Sequence, residues 1–390
     1  MKKLLPLAVI ALLAAGLTGC NGNAKRIAAF EQDMKTLLES DSCDYVGISA
    51  VVVKDNKILY NSNYGYKDLD TEEPIDDQTM FRIASISKSF TATSMMQMVE
   101  QGKVSLKDDV SDLVGIKIRN PKYPDTPITL EMLMSHTSSI NDHQGYYTLD
   151  GINPDINPDY AKAYRDFAPG EQYRYTNLNF SLSGTILERL SGERFDQYVV
   201  HHVLEPLGLY GGYCVDSLDA SRFAQLYEWN NDKGKFIKQP EAYNPRREII
   251  SNYKFGYDTP VFSPTGGMKI TALDLAKYMI MHMNYGYSPL ADARIISEES
   301  SHDMQTERSA YEHYGLALHQ DDSLTGDGTV LEGHTGGAYG LSAGMFFNPE
   351  EKYGFVVISS GWHNTAKGKR SPYRSIIPLL YKNFIAEPEK

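Results

Sequence analysis

Strand-forming sequence stands at the two ends of this chain and is sparse between them. Val46-Gly47-Ile48-Ser49-Ala50-Val51-Val52-Val53 is rich in β-branched residues, Lys54-Asp55-Asn56-Lys57 supplies turn chemistry, and Ile58-Leu59-Tyr60-Asn61 continues as a second strand. The arrangement recurs near the far end, where Ala343 to Phe347, a turn at Asn348-Pro349-Glu350-Glu351, and Tyr353 to Ser359 follow one another. From about Ser85 to Met283 the pattern is mostly helical, with loops rich in Asn, Asp, Pro and Tyr. The chain therefore reads as an α+β protein whose antiparallel sheet is built from N- and C-terminal strands and flanked by helices. A mostly helical lobe, roughly residues 100–260, is inserted between them.

With 390 residues, 42% of them hydrophobic, the chain can fill one large domain or two coupled lobes. A net charge of -12 and the lack of any Lys/Arg-rich run exclude a nucleic-acid surface, which needs a concentrated basic footprint. At the start, Lys2 and Lys3 precede an apolar run from Leu4 to Leu17 that ends in Leu17-Thr18-Gly19-Cys20. This reads as an export signal, and the small residue before cysteine resembles the bacterial lipobox. The implied organisation is a lipoprotein signal peptide over 1–19, a lipidated N-terminus and tether over 20–35, and a catalytic domain over 36–388. Cys20 is the expected lipid anchor, holding the protein to a membrane in the cell envelope, facing the periplasm or the exterior. A monomer is favoured. Cys43 and Cys214 remain, and an oxidising compartment permits a disulfide without the sequence showing that the two meet.

Ser85 stands where an extended stretch, Phe81-Arg82-Ile83-Ala84, gives way to a helix over Ile86 to Gln101. Phe90, Met95, Met98 and Val99 are spaced for one buried face of that helix, and Gly102 closes it as a left-handed cap would. Free N–H groups at a helix start favour developing negative charge, and Lys88 lies one turn beyond Ser85 on the same face. Serine becomes a good nucleophile when a neighbour takes its proton, and a lysine with a depressed pKa does this. Ser-x-x-Lys is common by chance. Its company makes it specific: Tyr173-Arg174-Tyr175-Thr176-Asn177, then a helix from Phe180 to Leu190 closed by Ser191-Gly192, and much later Gly333-His334-Thr335-Gly336-Gly337 opening the last hairpin.

These segments, with Leu133-Met134-Ser135-His136-Thr137-Ser138-Ser139 and Gly266-Gly267-Met268, resemble the penicillin-recognising serine enzymes, in particular the class C β-lactamase, DD-carboxypeptidase and esterase branch. The resemblance runs from about Val46 to about Phe384. It implies that Ser85 is acylated, that Lys88 helps deprotonate it, and that Tyr175 shuttles protons to and from the leaving group. Asn177 is implied to bond Lys88 and the substrate, and the N–H groups of Ser85 and Gly337 to form an oxyanion hole worth about 3 kcal/mol per donor. Thr335, Gly336, Tyr146 and Tyr147 are expected to bind substrate. His334 stands where β-lactamases carry lysine, and a neutral imidazole offers no permanent cation to a carboxylate. It is expected to orient Tyr175 or to bind substrate, which moves the expected substrate from β-lactams toward small esters, amides or D-configured peptides. A DD-carboxypeptidase or transpeptidase ranks second and a β-lactamase third; acyl transfer by the same intermediate and a silent ligand-binding role are the remaining readings. Ser139 replaces the family's usual glycine.

No cofactor is implied, and His201-His202 and the other histidines lack the spacing of a metal site. His136 is expected to be a packing and hydrogen-bonding residue. Gly340-Leu341-Ser342-Ala343-Gly344 matches a nucleophile-elbow pattern, but strand and turn follow it where an elbow needs a helix. The segment Asn141 to Phe167 is expected to cover the mouth of the site, and Trp362 and His363 are candidates to line it.

Overall fold

The computed structural model describes residues 20–40, 43–309, 312–364 and 370–387, without the side chains of Cys20 and Asn21. The expected signal peptide and the lipidated Cys20 thiol lie outside the described residues.

Seven strands form the main sheet: β1 (Gly47–Lys54), β2 (Lys57–Asp68), β3 (Glu73–Pro74), β4 (His319–Asp321), β5 (Leu331–Ala338), β6 (Leu341–Asn348) and β7 (Tyr353–Ser359). Their order is β4-β5-β6-β7-β1-β2-β3 and every pairing is antiparallel, so the terminal strands do share one sheet. Asp55 and Asn56 both take left-handed backbone, φ 50° and 63°, as a two-residue hairpin whose twist matches its strands requires. β1 is buried along all but its last residue because both faces of the sheet are covered. Val51 and Val53 face the larger core, shared with α4 (Ala272–Met283), whereas Ile48, Ala50 and Val52 face a second core beneath α1 (Cys20–Glu39) and α5 (Pro372–Leu380).

That second core corrects the expected tether. Residues 20–35 belong to helix α1, which buries Phe30 and Met34 completely and takes hydrogen bonds from Tyr60 and Tyr64 on Glu31. Two such side chains contribute roughly 1.5–3 kcal/mol each when buried, so α1 is part of the domain.

The inserted lobe is less helical than its pattern predicts. Its long helices are α2 (Ser87–Glu100) and α3 (Asn177–Ser191); between them lie five-residue helices at Val110–Val114 and Leu130–Met134 and irregular chain. Gly102 and Gly192 cap α2 and α3 in left-handed conformation as expected. α2, however, has no solvent face along most of its length: Ser87, Ser89, Thr91, Thr93 and Ser94 are as buried as Phe90 and Met95. Their hydroxyls find partners, Thr91 on the Pro264 carbonyl at 2.9 Å and Thr93 with the Tyr278 hydroxyl at 3.0 Å, so a polar face is buried without orphaned groups. Cys43 and Cys214 are both buried, and both thiols are free.

Candidate active site

The strand Met80–Arg82 enters a turn in which Ala84 is forced to φ 46°, a left-handed conformation unusual for alanine. That turn presents Ser85 to a pocket of about 440 Å³ just before α2 begins. Gly336 of β5 is pressed against it: a Cβ there would sit 2.3 Å from the Ile83 carbonyl oxygen, so the approach of strand to turn needs glycine.

Lys88 is fully buried and its Nζ lies 3.1 Å from Ser85 Oγ, 3.0 Å from Asn177 Oδ1 and 2.7 Å from the Thr265 carbonyl oxygen. Burial pulls its pKa down to about 7, with the Asp142 carboxylate pulling weakly the other way. A neutral amine has two protons and one lone pair. Two fixed carbonyl acceptors claim the protons, which leaves the lone pair directed at the Ser85 hydroxyl.

Asn177 is itself held. It begins α3, and the Asp142 carboxylate accepts from its backbone N–H at 2.9 Å, its Nδ2 at 3.0 Å and the Leu178 N–H at 2.9 Å. Because Nδ2 is committed to Asp142, Oδ1 must face Lys88. Asp142 thus caps the helix and orients the amide at once. It lies 35 residues upstream in a loop, and no local pattern in the sequence marks it.

Tyr175 precedes α3 and opens its ring to the pocket, with the Lys88 ammonium position 4.9 Å from the ring centroid. The surrounding protein desolvates its phenol and raises its pKa, an effect the Ser85 hydroxyl partly opposes, so Tyr175 is protonated at rest. Behind it lies His136, with ring centroids 4.2 Å apart. His136 Nδ1 accepts the Thr176 N–H at 3.2 Å, and burial first, then Lys88 and His334, lower its pKa, so the ring is neutral. This is the packing role expected for it, set directly against Tyr175. Ser139 adopts φ 63°, which explains why glycine is usual there, and Asn120 Nδ2 holds its hydroxyl at 3.0 Å.

The expectation for His334 is corrected. It is buried and does not line the pocket; its Nδ1–H donates to the Thr335 carbonyl at 2.6 Å, and Nε2 accepts from the Tyr314 hydroxyl at 2.9 Å. Both nitrogens are occupied, and the ring centroid stands 6.4 Å from that of Tyr175. Burial lowers its pKa well below the ordinary histidine value. Tyr314, which the sequence did not single out, therefore fixes His334 as a neutral tautomer. Thr335 and Gly336 also lie off the pocket wall, Gly336 because it faces the Ser85 turn.

The structure does bring Ser85, Tyr175, Asn177, Gly337, Tyr146 and Tyr147 together on the pocket wall, with Arg82, Glu228 and Tyr339 added. Tyr146 and Tyr147 hydrogen-bond each other at 2.8 Å, so the Asn141–Phe167 segment supplies one wall. Trp362 and His363 do not line it; His363 stacks on Trp229 with centroids 4.0 Å apart. Ser342 lies in β6, paired with Ser359, as the elbow argument requires. Among the described residues no group of three or more His, Cys, Asp or Glu is placed to hold a metal ion.

Comparison with known proteins gives a consistent picture. The Beta-lactamase family profile matches residues 27–376. Protein flp of Staphylococcus aureus strain MRSA252 is 25% identical over 338 residues, 85% of this chain, and the chain spans 63% of that protein's length. Among solved structures, an octameric penicillin-binding protein homologue from Pyrococcus abyssi is similar with a TM-score of 0.69 and 25% identity, covering 92% of this chain and 76% of that one. EstCE1, a hydrolase with promiscuous acyltransferase activity, has a TM-score of 0.69 and 21% identity, covering 92% of this chain and 98% of that one.

Proposed function

The chain belongs to the Beta-lactamase family, and from that premise we propose that it is a serine hydrolase working through an acyl-enzyme at Ser85, acting on small esters, amides or D-configured peptides. The observation that carries this reading is the Lys88 amine, held on two carbonyl oxygens with its third direction on Ser85 Oγ at 3.1 Å.

Ser85 Oγ attacks the substrate carbonyl carbon while its proton passes to Lys88 Nζ. The carbonyl oxygen takes negative charge beside the Ser85 and Gly337 N–H groups. On collapse, Tyr175 gives its hydroxyl proton to the departing alcohol or amine and recovers one from the Lys88 ammonium. Water, or an acceptor alcohol or amine, then reverses the sequence to release the acyl group. Among the described residues the pocket wall offers no unengaged cation for a substrate carboxylate, because Arg82 donates Nε to the Gly266 carbonyl at 2.8 Å and Nη1 to the Ala242 carbonyl at 3.2 Å. This favours an esterase or amidase over a β-lactamase or DD-carboxypeptidase. The intact Ser85, Lys88, Tyr175 and Asn177 constellation argues against a silent binding protein.

The test is intact-protein mass after exposure to a fluorophosphonate and, separately, to penicillin. A single phosphonate adduct on Ser85, absent in Ser85→Ala, is expected, with little penicilloyl adduct. An adduct that survives Ser85→Ala overturns the assignment. The first 20 residues support attachment to a bacterial membrane through lipid on Cys20; loss of metabolic palmitate label in Cys20→Ala is the expected result.

A further inference from the structure

The turn joining β5 to β6 is pressed onto a neighbouring hairpin. Gly340 has φ 81°, and a Cβ on it would lie 1.9 Å from the Tyr227 carbonyl oxygen and 3.0 Å from the Glu228 nitrogen. Tyr339, beside it, holds a left-handed φ of 54°, which a bulky aromatic residue adopts only when its surroundings demand it. The contact sets Tyr339 and Glu228 together on the pocket wall, past Gly337 and Ala338 along β5.

Glu228 is firmly based. It lies in the strand Tyr227–Asn230, paired antiparallel with Lys235–Lys238. On one side the Tyr227 hydroxyl donates to Asp68 at 2.8 Å and accepts the Leu69 N–H at 2.9 Å. On the other, Trp229 packs between Phe236 and His363. The Glu228 side chain itself is exposed, and it has neither a hydrogen-bond nor an ion-pair partner among the described residues. Arg82, the other charged residue on this wall, is buried, bonded to backbone carbonyls, and stacked with its guanidinium carbon 5.0 Å from the Tyr339 ring centroid. Among the described residues lining the pocket, the charge left free for a ligand is therefore a carboxylate. The same pocket is lined by the aromatic side chains of Tyr339, Tyr146 and Tyr147, whose faces also attract cations.

We infer that Glu228, with Tyr339 beside it, forms a subsite for a protonated amine on the acyl portion of the substrate, selecting aminoacyl esters or amides over their N-acylated counterparts. This rests on the acyl-enzyme reading for the position of the scissile carbonyl, near Gly337; the amine lies beyond it along Ala338 and Tyr339.

The test compares the methyl ester of an amino acid with the same ester N-acetylated, below the pH at which the amine loses its proton. Each rate is normalised to that of p-nitrophenyl butyrate in the same variant. Both amino esters are also titrated calorimetrically into Ser85→Ala, which binds without turnover. Wild type is expected to prefer the free amine by about tenfold or more in kcat/KM, the scale of one charge-assisted contact. Glu228→Gln brings that ratio to within about twofold of unity, and Glu228→Lys makes an N-succinyl ester the better substrate, as a reversed charge requires. Equal ratios in wild type and Glu228→Gln overturn the subsite. A Glu228-dependent preference for butyrylcholine in place of the aminoacyl ester overturns its placement on the acyl side. If no ester is turned over but the calorimetric preference persists and needs Glu228, the subsite stands and the acyl-enzyme reading falls.

Discussion

Lys88 Nζ approaches Ser85 Oγ to 3.1 Å from a position in which water cannot reach it. Acylation needs the neutral amine, and its pKa is about 7. kcat/KM for an uncharged ester is expected to climb about tenfold per pH unit below 7 and to level above it. Lys88→Arg, which stays protonated, should lose activity by about 10³-fold or more across the range. The same shift acts on stability. Between about pH 7 and 10.5 the unfolded chain retains a proton that folded Lys88 has released, so this group makes the fold more stable as pH rises through that window. Lys88→Met lacks the effect. Its stability advantage over wild type, read from urea midpoints, should be largest near pH 7 and narrow toward pH 9.

Asp142→Asn tests the orientation of Asn177. The substitution keeps the shape but replaces a carboxylate that accepts three hydrogen bonds with an amide that donates as well as accepts. Loss of the cap should cost about 1 kcal/mol in denaturant unfolding. A merely structural role ends there. Because the Asp142 charge also raises the Lys88 pKa, its removal should move the acidic limb of the pH–rate profile to lower pH, with kcat reduced about tenfold or more. An unmoved limb would leave Asp142 as a helix cap alone.

The two terminal hairpins, and the sharing of one sheet by the N- and C-terminal strands, were legible because turn chemistry and β-branched runs are local signals, as the Asp55–Asn56 turn shows; the strand order and the edge strands Glu73–Pro74 and His319–Asp321 were not. The resemblance of the short motifs carrying Ser85, Lys88, Tyr175 and Asn177 to a known family pointed to these residues, and the structure places them side by side. What stayed hidden depends on distant partners. The apolar spacing of α2 marked one buried face and gave no sign that Thr91 and Thr93 are buried too, because their partners, Pro264 and Tyr278, lie on other elements. Helix α1 read as a tether because its polar surface outweighs Phe30 and Met34, whose core is assembled from both chain ends. His334 read as a pocket residue because nothing in its own strand announces Tyr314.

Tyr314→Phe isolates that last contact. The buried His334 Nε2 loses its donor at 2.9 Å, and an orphaned buried acceptor costs about 1–3 kcal/mol. A double-mutant cycle with His334→Gln should return a coupling energy of about 1 kcal/mol in chemical denaturation. A coupling near zero would mean that the hydroxyl and the imidazole are not bonded in solution.

Gly336 and Gly337 are adjacent, yet alanine should have opposite consequences at the two positions. At Gly336 the added methyl would meet the Ile83 carbonyl oxygen at 2.3 Å and push β5 away from the turn that carries Ser85. Backbone lies on both sides of that contact, so it cannot be relieved by a side-chain rotation. A loss of about 2 kcal/mol or more is expected, together with a fall in kcat as the Ser85 and Gly337 N–H groups separate. At Gly337 the nearest atom to an added Cβ is the Leu341 carbonyl oxygen at 3.8 Å, an ordinary contact, and the residue lines the pocket. Gly337→Ala should therefore unfold within about 0.5 kcal/mol of wild type while raising KM for bulky acyl groups more than for acetyl esters. Equal destabilisation by the two substitutions would show that β5 does not lean on the Ser85 turn through Gly336.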